Sequence, residues 1–294
     1  MKRIHLIAAM VAITATSVPT DAQDAAQRRA WNGPAAPFRI IGNVYYVGTA
    51  GLSSFLIADP AGLVLIDGAL PESAPLIAAN IQRLGFRLRD IRYLLNNHSH
   101  VDHAGGLAAL QRASGARVAV SVGDRADLLA GRTLGRSDLA RFPPVRPALT
   151  VGEGSIISVG TSRLVAHLTP GHTDGATSWS LRTSEAGKSV NVLFLSSLSV
   201  AGRPLVRSTG GGRAPHDTRA VAQFRSTFRH LATKHADVVL SYHAEQFDLA
   251  RKRAAQQAGN PLAFIDRDEL QRLVARASAA FERALADQQR SPQS

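Results

Sequence analysis

Three histidines and one aspartate fall within six positions of the stretch LLNNHSHVDHAGG, residues 94–106. They are His98, His100, Asp102 and His103, and a pair of glycines follows them. An imidazole or a carboxylate that is removed from water needs a polar partner. Four such groups in so short a segment indicate one shared partner, and a metal ion binds both residue types.

Two other segments each offer one histidine at the end of an apolar run. His172 lies in VAHLTPGHTDG, and His243 ends DVVLSYH. Each of these histidines, taken alone, is more typical of an ordinary loop residue. The three segments together supply five imidazoles and one carboxylate, which is enough for two sets of three ligands. Catalytic zinc commonly takes three protein ligands and keeps an open position for water. The chain has no cysteine, so no ligand is a thiolate.

Strand-like and helix-like runs alternate along the chain. FRIIGNVYYVG, LSSFLIAD and GLVLIDGAL predict a strand meander, and the strand IRYLLNN leads directly into the histidine segment. PESAPLIAANIQRLGF has helical spacing, as does the late run FIDRDELQRLVARASAAFERAL, in which Asp266 and Glu269 form a capping-box-like start. Residues 131–150 lack a clear period and predict a long surface loop. The alternation predicts an α/β fold with a layered core and the chemistry at its strand ends.

The first residues have the pattern of a secretory leader. Lys2 and Arg3 precede an apolar run, and a small-residue cleavage site follows it. The run is short for a membrane span, and an N-terminal core helix is the alternative. We therefore expect a signal peptide over residues 1–22, a flexible arm over residues 23–37 and one domain over residues 38–294. The predicted location is the periplasm, with no membrane span after leader removal.

The chain is strongly basic, with a formal net charge of +12 at pH 7. Such a charge is compatible with nucleic-acid binding. The arginines are scattered, however, without a basic block or interleaved aromatic residues for base stacking. We therefore expect no nucleic-acid partner. The basic surface instead favours anionic substrates or envelope polymers, and the predicted oligomeric state is a monomer.

The motif H-x-H-x-D-H, the G-H-T at residues 171–173 and the late strand-end histidine resemble the metallo-β-lactamase superfamily. The resemblance covers roughly residues 38–260. It implies an αββα four-layer sandwich, in which helices flank two internal β-sheets and a site for two zinc ions per chain lies along one edge. The implied ligands are His98, His100 and His172 for one ion, and Asp102, His103 and His243 for the other.

Members of this superfamily differ in the strand that follows the G-H-T loop. Thioesterases of the glyoxalase II kind, lactonases and RNA-processing members carry a bridging aspartate there, and B1 and B2 β-lactamases carry a cysteine ligand. Here the segment reads NVLFLSSLSV, with Ser196 and Ser197 and neither of those residue types. This pattern, the opening PFRIIGNVYYVGTAGLSSFLI and the ending GNPLAFIDRDEL resemble the subclass B3 β-lactamases.

The resemblance implies zinc-dependent hydrolysis of the β-lactam amide bond of penicillins, cephalosporins and carbapenems by a metal-activated hydroxide, and thereby antibiotic resistance. Asp102 would orient the nucleophile, and Ser197 and Ser199 would bind the substrate's carboxylate. Asp67 would orient a ligand or, alternatively, is an ordinary turn carboxylate at a strand end. Residues 131–145 would form a wall of the groove. An exported hydrolase of a lactone, ester or thioester is the alternative activity. A metal-dependent binding protein without turnover is the alternative class.

Some residues depart from the family pattern or lie outside it. Asp174 stands where a proline is common, Ser196 stands where B3 members often have aspartate, and the disulfide of many B3 enzymes is absent. The remaining histidines are interpreted as structural or surface residues. They are His167, His216, His230 and His235.

Overall fold

The computed structural model describes residues 20–207 and 216–290. The helices are α1 (Thr20–Trp31), α2 (Ala74–Arg83), α3 (Val101–Ala104), α4 (Leu107–Ser114), α5 (Arg125–Ala130), α6 (Arg219–Ala232), α7 (Leu249–Gln257) and α8 (Glu269–Arg290). The strands of the first half are β1 (Phe38–Ile41), β2 (Val44–Tyr46), β3 (Phe55–Asp59), β4 (Gly62–Ile66), β5 (Ile91–Leu95), β6 (Arg117–Ser121) and β7 (Pro147–Val151). Those of the second half are β8 (Ile156–Val159), β9 (Ser162–Leu168), β10 (Thr177–Glu185), β11 (Lys188–Leu195), β12 (Val206–Arg207), β13 (His216–Asp217) and β14 (Val238–Ser241).

Two mixed sheets contain most of the strands. The first runs in the order β1-β2-β3-β4-β5-β6-β7, antiparallel up to β4 and parallel from β4 to β7. The second runs β14-β11-β10-β9-β8, with β14 parallel to β11 and the other pairs antiparallel. β12 and β13 form a separate small ribbon. The parallel strands explain why GLVLI, the sequence of β4, is apolar throughout, because both faces of such a strand are covered.

Three apolar layers hold the sheets and helices together. The layer between the sheets includes Trp179, Phe55 and Phe194, and the rings of the two phenylalanines have centroids 5.3 Å apart. A second layer lies between the first sheet and α2, α4 and α5. A third lies between the second sheet and α6 and α8, whose buried residues recur every three or four positions. The predicted αββα sandwich is therefore confirmed.

Three local predictions differ from the structure. Residues 23–37, predicted as a flexible arm, include most of α1, because TDAQDAAQRRAW is rich in helix-forming alanine, glutamine and arginine. The predicted loop 131–150 ends in β7, an edge strand that begins with Pro147, which edge positions tolerate. Glu269 directs its carboxylate to the ammonium of Lys252 on α7, at 2.5 Å, rather than to the start of its own helix.

Residues 1–19 of the predicted signal peptide lie outside the described residues. Within residues 20–207 and 216–290, no helix combines the length and the hydropathy needed to cross a membrane.

Candidate metal centre

The six predicted ligands lie in three loops, each of which follows a strand. His98 comes directly after β5, and His100, Asp102 and His103 lie at the start of or within the short helix α3. His172 lies between β9 and β10, and His243 follows β14. The ends of these strands, which belong to both sheets, meet along one edge of the sandwich, as is common for sites in α/β folds. The structure brings all six side chains together there.

The first group consists of His98, His100 and His172, all three of which are buried. Their potential ligand atoms all lie within 4.8 Å of one another. Nδ1 of His172 donates a hydrogen bond to the carbonyl oxygen of Ser199 at 2.7 Å, which leaves a lone pair on Nε2. That Nε2 lies only 3.0 Å from Nδ1 of His100.

Unpartnered nitrogens in this first group fit a bound cation. Both ring nitrogens of His98 and Nε2 of His100 are buried without a hydrogen-bond partner. Burial, reinforced by the neighbouring imidazoles, lowers the pKa of His98 and of His100 well below the ordinary value, and burial lowers the pKa of His172 to about 4. The imidazoles are therefore neutral at pH 7, the form in which histidine binds metals.

The second group consists of Asp102, His103 and His243. Oδ2 of Asp102 lies 3.3 Å from Nε2 of His103 and 3.4 Å from Nε2 of His243. Burial opposes ionisation of Asp102, but the surrounding imidazoles outweigh it and hold its pKa well below the ordinary value. His98 lies between the two groups, because its ring centroid is 4.0 Å from that of His103 and its ligand atom is also within 4.8 Å of those of Asp102 and His103.

Asp67, which follows β4, supports the second group. Its Oδ2 lies 3.2 Å from Nδ1 of His103, and its Oδ1 accepts a hydrogen bond from the backbone nitrogen of Asn97 at 2.8 Å. Burial lowers the pKa of His103, but the carboxylates of Asp102 and Asp67 outweigh it and raise this pKa to about 9. Asp67 therefore lies where the predicted orienting residue should be. A carboxylate behind a ligating histidine fixes the ring and its tautomer.

Asp124, which the sequence analysis did not single out, joins two of the ligand loops. Its buried carboxylate accepts hydrogen bonds from the backbone nitrogens of Ser99 and Gly175, at 2.9 and 2.8 Å, and from the hydroxyl of Thr173 at 2.9 Å. Ser99 lies between His98 and His100, and Thr173 follows His172. The position of Asp124 just after β6, a third parallel strand end, was the available signal.

The predicted groove wall contacts the same loops. The hydroxyl of Thr133 donates to the carbonyl oxygen of Ser99 at 2.7 Å, and Asp127 accepts hydrogen bonds from the Ser99 hydroxyl and from the Leu134 backbone. Residues 133–136 and His172 line a cavity of about 600 Å³. Among the described residues, the charged ones that line this cavity are Arg136, Arg203, Arg207, Arg219, Asp127 and Asp174, so cations outnumber anions there.

The two serines predicted to bind substrate occupy different depths. Ser199 is exposed, and its hydroxyl lies 3.4 Å from Nδ1 of His172. Ser197 is buried, and its hydroxyl lies 3.1 Å from that of Ser199. The hydroxyl of Ser199 is therefore the more accessible of the two.

Asp174, the departure from the usual proline, forms an ion pair with Arg203 at 2.5 Å. Arg203 also donates to the carbonyl oxygen of Gly171 at 2.6 Å. Arg203 therefore contacts the loop on both sides of His172 in the sequence, at Gly171 and at Asp174, and holds the loop in place.

Two aromatic residues that the sequence analysis missed border the site. Tyr242 is buried, and its ring centroid lies 4.6 Å from that of His103 and 5.5 Å from that of His98. Trp31, at the end of α1, contacts the ring of His243. Tyr242 directly precedes His243 in the chain, whereas Trp31 reaches the site only through packing.

This donor set suits zinc. It offers five imidazoles and one carboxylate, with lone pairs converging from separate loops and a carboxylate behind one of the rings. The residues therefore fit a dinuclear site that could activate water and polarise a carbonyl group.

Comparisons with known proteins agree with this geometry. The family model described as metallo-beta-lactamase superfamily matches residues 48–243. The crystal structure of a subclass B3 metallo-β-lactamase of Bradyrhizobium japonicum is 35% identical with a TM-score of 0.83, covering 90% of this chain and 99% of that one. A subclass B3 enzyme from a soil metagenome library is 39% identical with a TM-score of 0.81, covering 88% and 98%.

Curated relatives carry a different description. A hydroxyacylglutathione hydrolase of Cereibacter sphaeroides is 34% identical over 122 residues, which are 42% of this chain and 40% of that protein. The chain thus matches about two fifths of the length of such relatives.

Proposed function

The chain belongs to the metallo-β-lactamase superfamily, and on that basis we propose that it is a zinc-dependent β-lactam hydrolase of subclass B3. One observation carries the proposal: the loop after β11, which runs past the histidine groups, presents the hydroxyl of Ser199 and the carbonyl that holds His172. Thioesterases of the glyoxalase II kind, lactonases and RNA-processing members of the superfamily carry a bridging aspartate in this segment, where this chain has serine. A serine hydroxyl is a neutral donor that suits a substrate carboxylate.

The extent of the similarity supports the same choice. The likeness to the B3 structures extends over 88–90% of the chain. The likeness to hydroxyacylglutathione hydrolases extends over 42% of it in the first comparison. The likeness to the B3 structures therefore includes parts of the fold that the likeness to the hydroxyacylglutathione hydrolase does not cover.

Each side chain has a defined task in this proposal. His98, His100 and His172 would hold one zinc ion, and Asp102, His103 and His243 the other. When bound, the two ions supply Lewis acidity at the lactam carbonyl and lower the pKa of water from about 15.7 towards about 7. Asp102 would orient the attacking water, and the hydroxyl of Ser199 would donate to the substrate's carboxylate.

The cationic cavity supports an anionic substrate. Four arginines and two aspartates line it, and Arg136 on its wall is fixed by hydrogen bonds to Asp138 and to the carbonyl oxygen of Ala201. A concave surface of one sign concentrates ligands of the other sign. Most β-lactam antibiotics carry the carboxylate that this surface and Ser199 would attract.

Thioester hydrolysis is the second candidate, and the curated relatives are the observation that favours it. Zinc-loaded protein should be assayed with a chromogenic cephalosporin, a carbapenem and a hydroxyacylglutathione thioester. We expect β-lactam turnover that a chelator abolishes, zinc restores and clavulanate leaves unchanged. Thioester or lactone turnover far faster than that of every β-lactam would establish the second candidate. Binding of β-lactams without their consumption would indicate a binding protein.

Export completes the proposal. A signal peptide over residues 1–22 would deliver the single domain, residues 38–294, to the periplasm, where the enzyme would act as a monomer and confer antibiotic resistance. Cell fractionation, N-terminal sequencing of the mature protein and light scattering test these three points. Full-length protein in the cytoplasmic fraction would contradict export and leader removal, and a dimer in light scattering would contradict the monomer.

A further inference from the structure

A second cluster of potential metal ligands lies outside the centre described above. It consists of Glu153 from the turn between β7 and β8, His167 from β9 and His230 from the last turn of α6. Nδ1 of His167 lies 3.5 Å from Oε1 of Glu153, and Nε2 of His230 lies 3.6 Å from the same oxygen. The potential ligand atoms are all within 4.8 Å of one another.

The other contacts of His167 and Glu153 leave Nδ1 of the imidazole and Oε1 of the carboxylate facing each other. Nε2 of His167 is hydrogen-bonded to the hydroxyl of Ser180 at 2.8 Å, which fixes the ring with Nδ1 towards Glu153. Oε2 of Glu153 accepts a hydrogen bond from the backbone nitrogen of Leu168 at 2.6 Å, which leaves Oε1 towards the imidazoles. Nδ1 of His167 and Nε2 of His230 are both buried without a hydrogen-bond partner.

The separations suit an ion better than direct hydrogen bonds. An N–H···O bond spans about 2.7–3.2 Å between heavy atoms, so 3.5 and 3.6 Å are too long. Zinc lies about 2.0–2.2 Å from histidine nitrogen and carboxylate oxygen, so two ligands at a tetrahedral angle are roughly 3.3 Å apart. The observed distances are close to this value.

We propose that Glu153, His167 and His230 form an additional binding site for a zinc-class divalent metal ion, separate from the histidine centre. Two imidazoles and one carboxylate are a common protein donor set for zinc. The side chain of Glu153 is half exposed, so solvent can reach the remaining coordination position. The ion would join the C-terminal end of α6 to the outer face of the second sheet, and its role is therefore structural.

The charges around the cluster agree with a neutral ligand at His167. Burial, followed by the ammonium of Lys234, lowers the pKa of His167. In the tautomer in which Nε2 of His167 donates to the Ser180 hydroxyl, the lone pair of Nδ1 faces the carboxylate, and this arrangement is repulsive until a cation lies between them. Lys234 also repels an added cation, so replacing this lysine should strengthen metal binding.

Zinc stoichiometry tests the proposal without reference to catalysis. Purified protein, dialysed to equilibrium against buffered free zinc, is analysed by elemental mass spectrometry beside His230→Ala and Glu153→Gln. We expect each variant to hold one zinc ion fewer per chain than the unaltered protein. This difference does not depend on how many ions the histidine centre holds or on which substrate is hydrolysed.

His235→Ala is the matched control, because His235 is an exposed histidine only five positions from His230. It should retain the full zinc content, and Lys234→Gln should bind the additional ion at least threefold more tightly. Circular dichroism confirms that each variant is folded. Equal zinc content in the unaltered protein, His230→Ala and Glu153→Gln would overturn the proposal, as would an equal loss in His235→Ala.

Discussion

The indole of Trp31 lies against the imidazole of His243, with ring centroids 5.1 Å apart and planes tilted by 52°. The carbonyl oxygen of Trp31 accepts hydrogen bonds from the Thr49 hydroxyl at 2.6 Å and from the Gly51 backbone at 3.1 Å. The next residue, Leu52, forms an isolated antiparallel bridge with His243. One short segment thus positions both the tryptophan and a predicted ligand, and α1 becomes a border of the metal centre.

Replacing this tryptophan should weaken the second zinc site. An aromatic pair contributes about 0.5–1.5 kcal/mol. Trp31→Ala should therefore raise the dissociation constant of the zinc ion that His243 would hold about two- to tenfold. A competition titration with a chromophoric chelator measures this. Leu262→Ala, at an exposed position outside the cavity that His172 lines, is the control and should leave the constant unchanged. Identical affinity in Trp31→Ala would show that the ring contact does not support His243.

Replacing Asp67 should weaken zinc binding more strongly. Asp67→Asn keeps the size of the side chain and tolerates the left-handed backbone at this position, where φ is 60°, but it removes the charge that faces His103. Loss of such a supporting carboxylate commonly costs 10- to 100-fold in metal affinity, roughly. The same titration measures the loss. The control is Asp90→Asn, which removes the charge of a carboxylate in a surface ion pair with Arg87. A loss below threefold would argue against an orienting role.

Removing zinc should lower the thermal stability of the protein. Both ring nitrogens of His98 and Nε2 of His100 are buried without a hydrogen-bond partner among the described residues, so a bound ion would supply the missing partner. Ligand at 1,000 times its dissociation constant adds about 4 kcal/mol to the free energy of unfolding, which for a chain of this size shifts Tm by about 10 °C. Differential scanning fluorimetry with and without a chelator measures the shift. An unchanged Tm would contradict a metal centre formed by these residues.

Glu269 should be needed to keep Lys252 paired. Both side chains are buried, and they are 2.5 Å apart. Glu269→Ala would leave a buried ammonium alone, which costs about 3–5 kcal/mol, whereas the double substitution Lys252→Met with Glu269→Leu should be close to neutral. Urea unfolding measures both. The exposed pair of Arg290 and Asp287 is the control, since Asp287→Ala should change stability by less than about 1 kcal/mol. Equal losses of unfolding free energy in Glu269→Ala and in the double variant would show that the unpaired ammonium is not the cause of the loss.

Asp59 should make the contact between the β3–β4 turn and the β8–β9 turn depend on pH. Hydrogen bonds from Ala61, Thr161 and Ser162 lower the pKa of Asp59 to about 2. Because the folded protein prefers the ionised form, this contribution is complete above about pH 4 and is lost as the pH falls through about 2. The Tm of Asp59→Asn should therefore be lower than that of the unaltered protein at pH 7, and the difference should shrink below pH 4. A difference that does not depend on pH would show that the charge is not involved.

The types and spacing of nearby residues determined much of this protein. The segment from His98 to His103 could be interpreted as a metal-ligand motif because local order fixes which side chains follow one strand end. Apolar runs and helical spacing predicted the layered α/β core, since burial on one face imposes a period on the sequence. The same local reasoning overlooked the helix-forming composition of α1, and it was wrong for Glu269 because packing against α7 decided where that carboxylate lies.

Only the tertiary structure decided which distant groups meet. Asp124 and Trp31 lie far along the chain from the side chains they support, and no local pattern sets them apart from other strand-end or helix-end residues. His167 and His230 were interpreted from sequence as structural or surface residues, yet both face Glu153. Such pairings depend on strand register and on how helices pack on the sheets. These relations join residues across the whole chain, whereas spacing along the sequence constrains only neighbours.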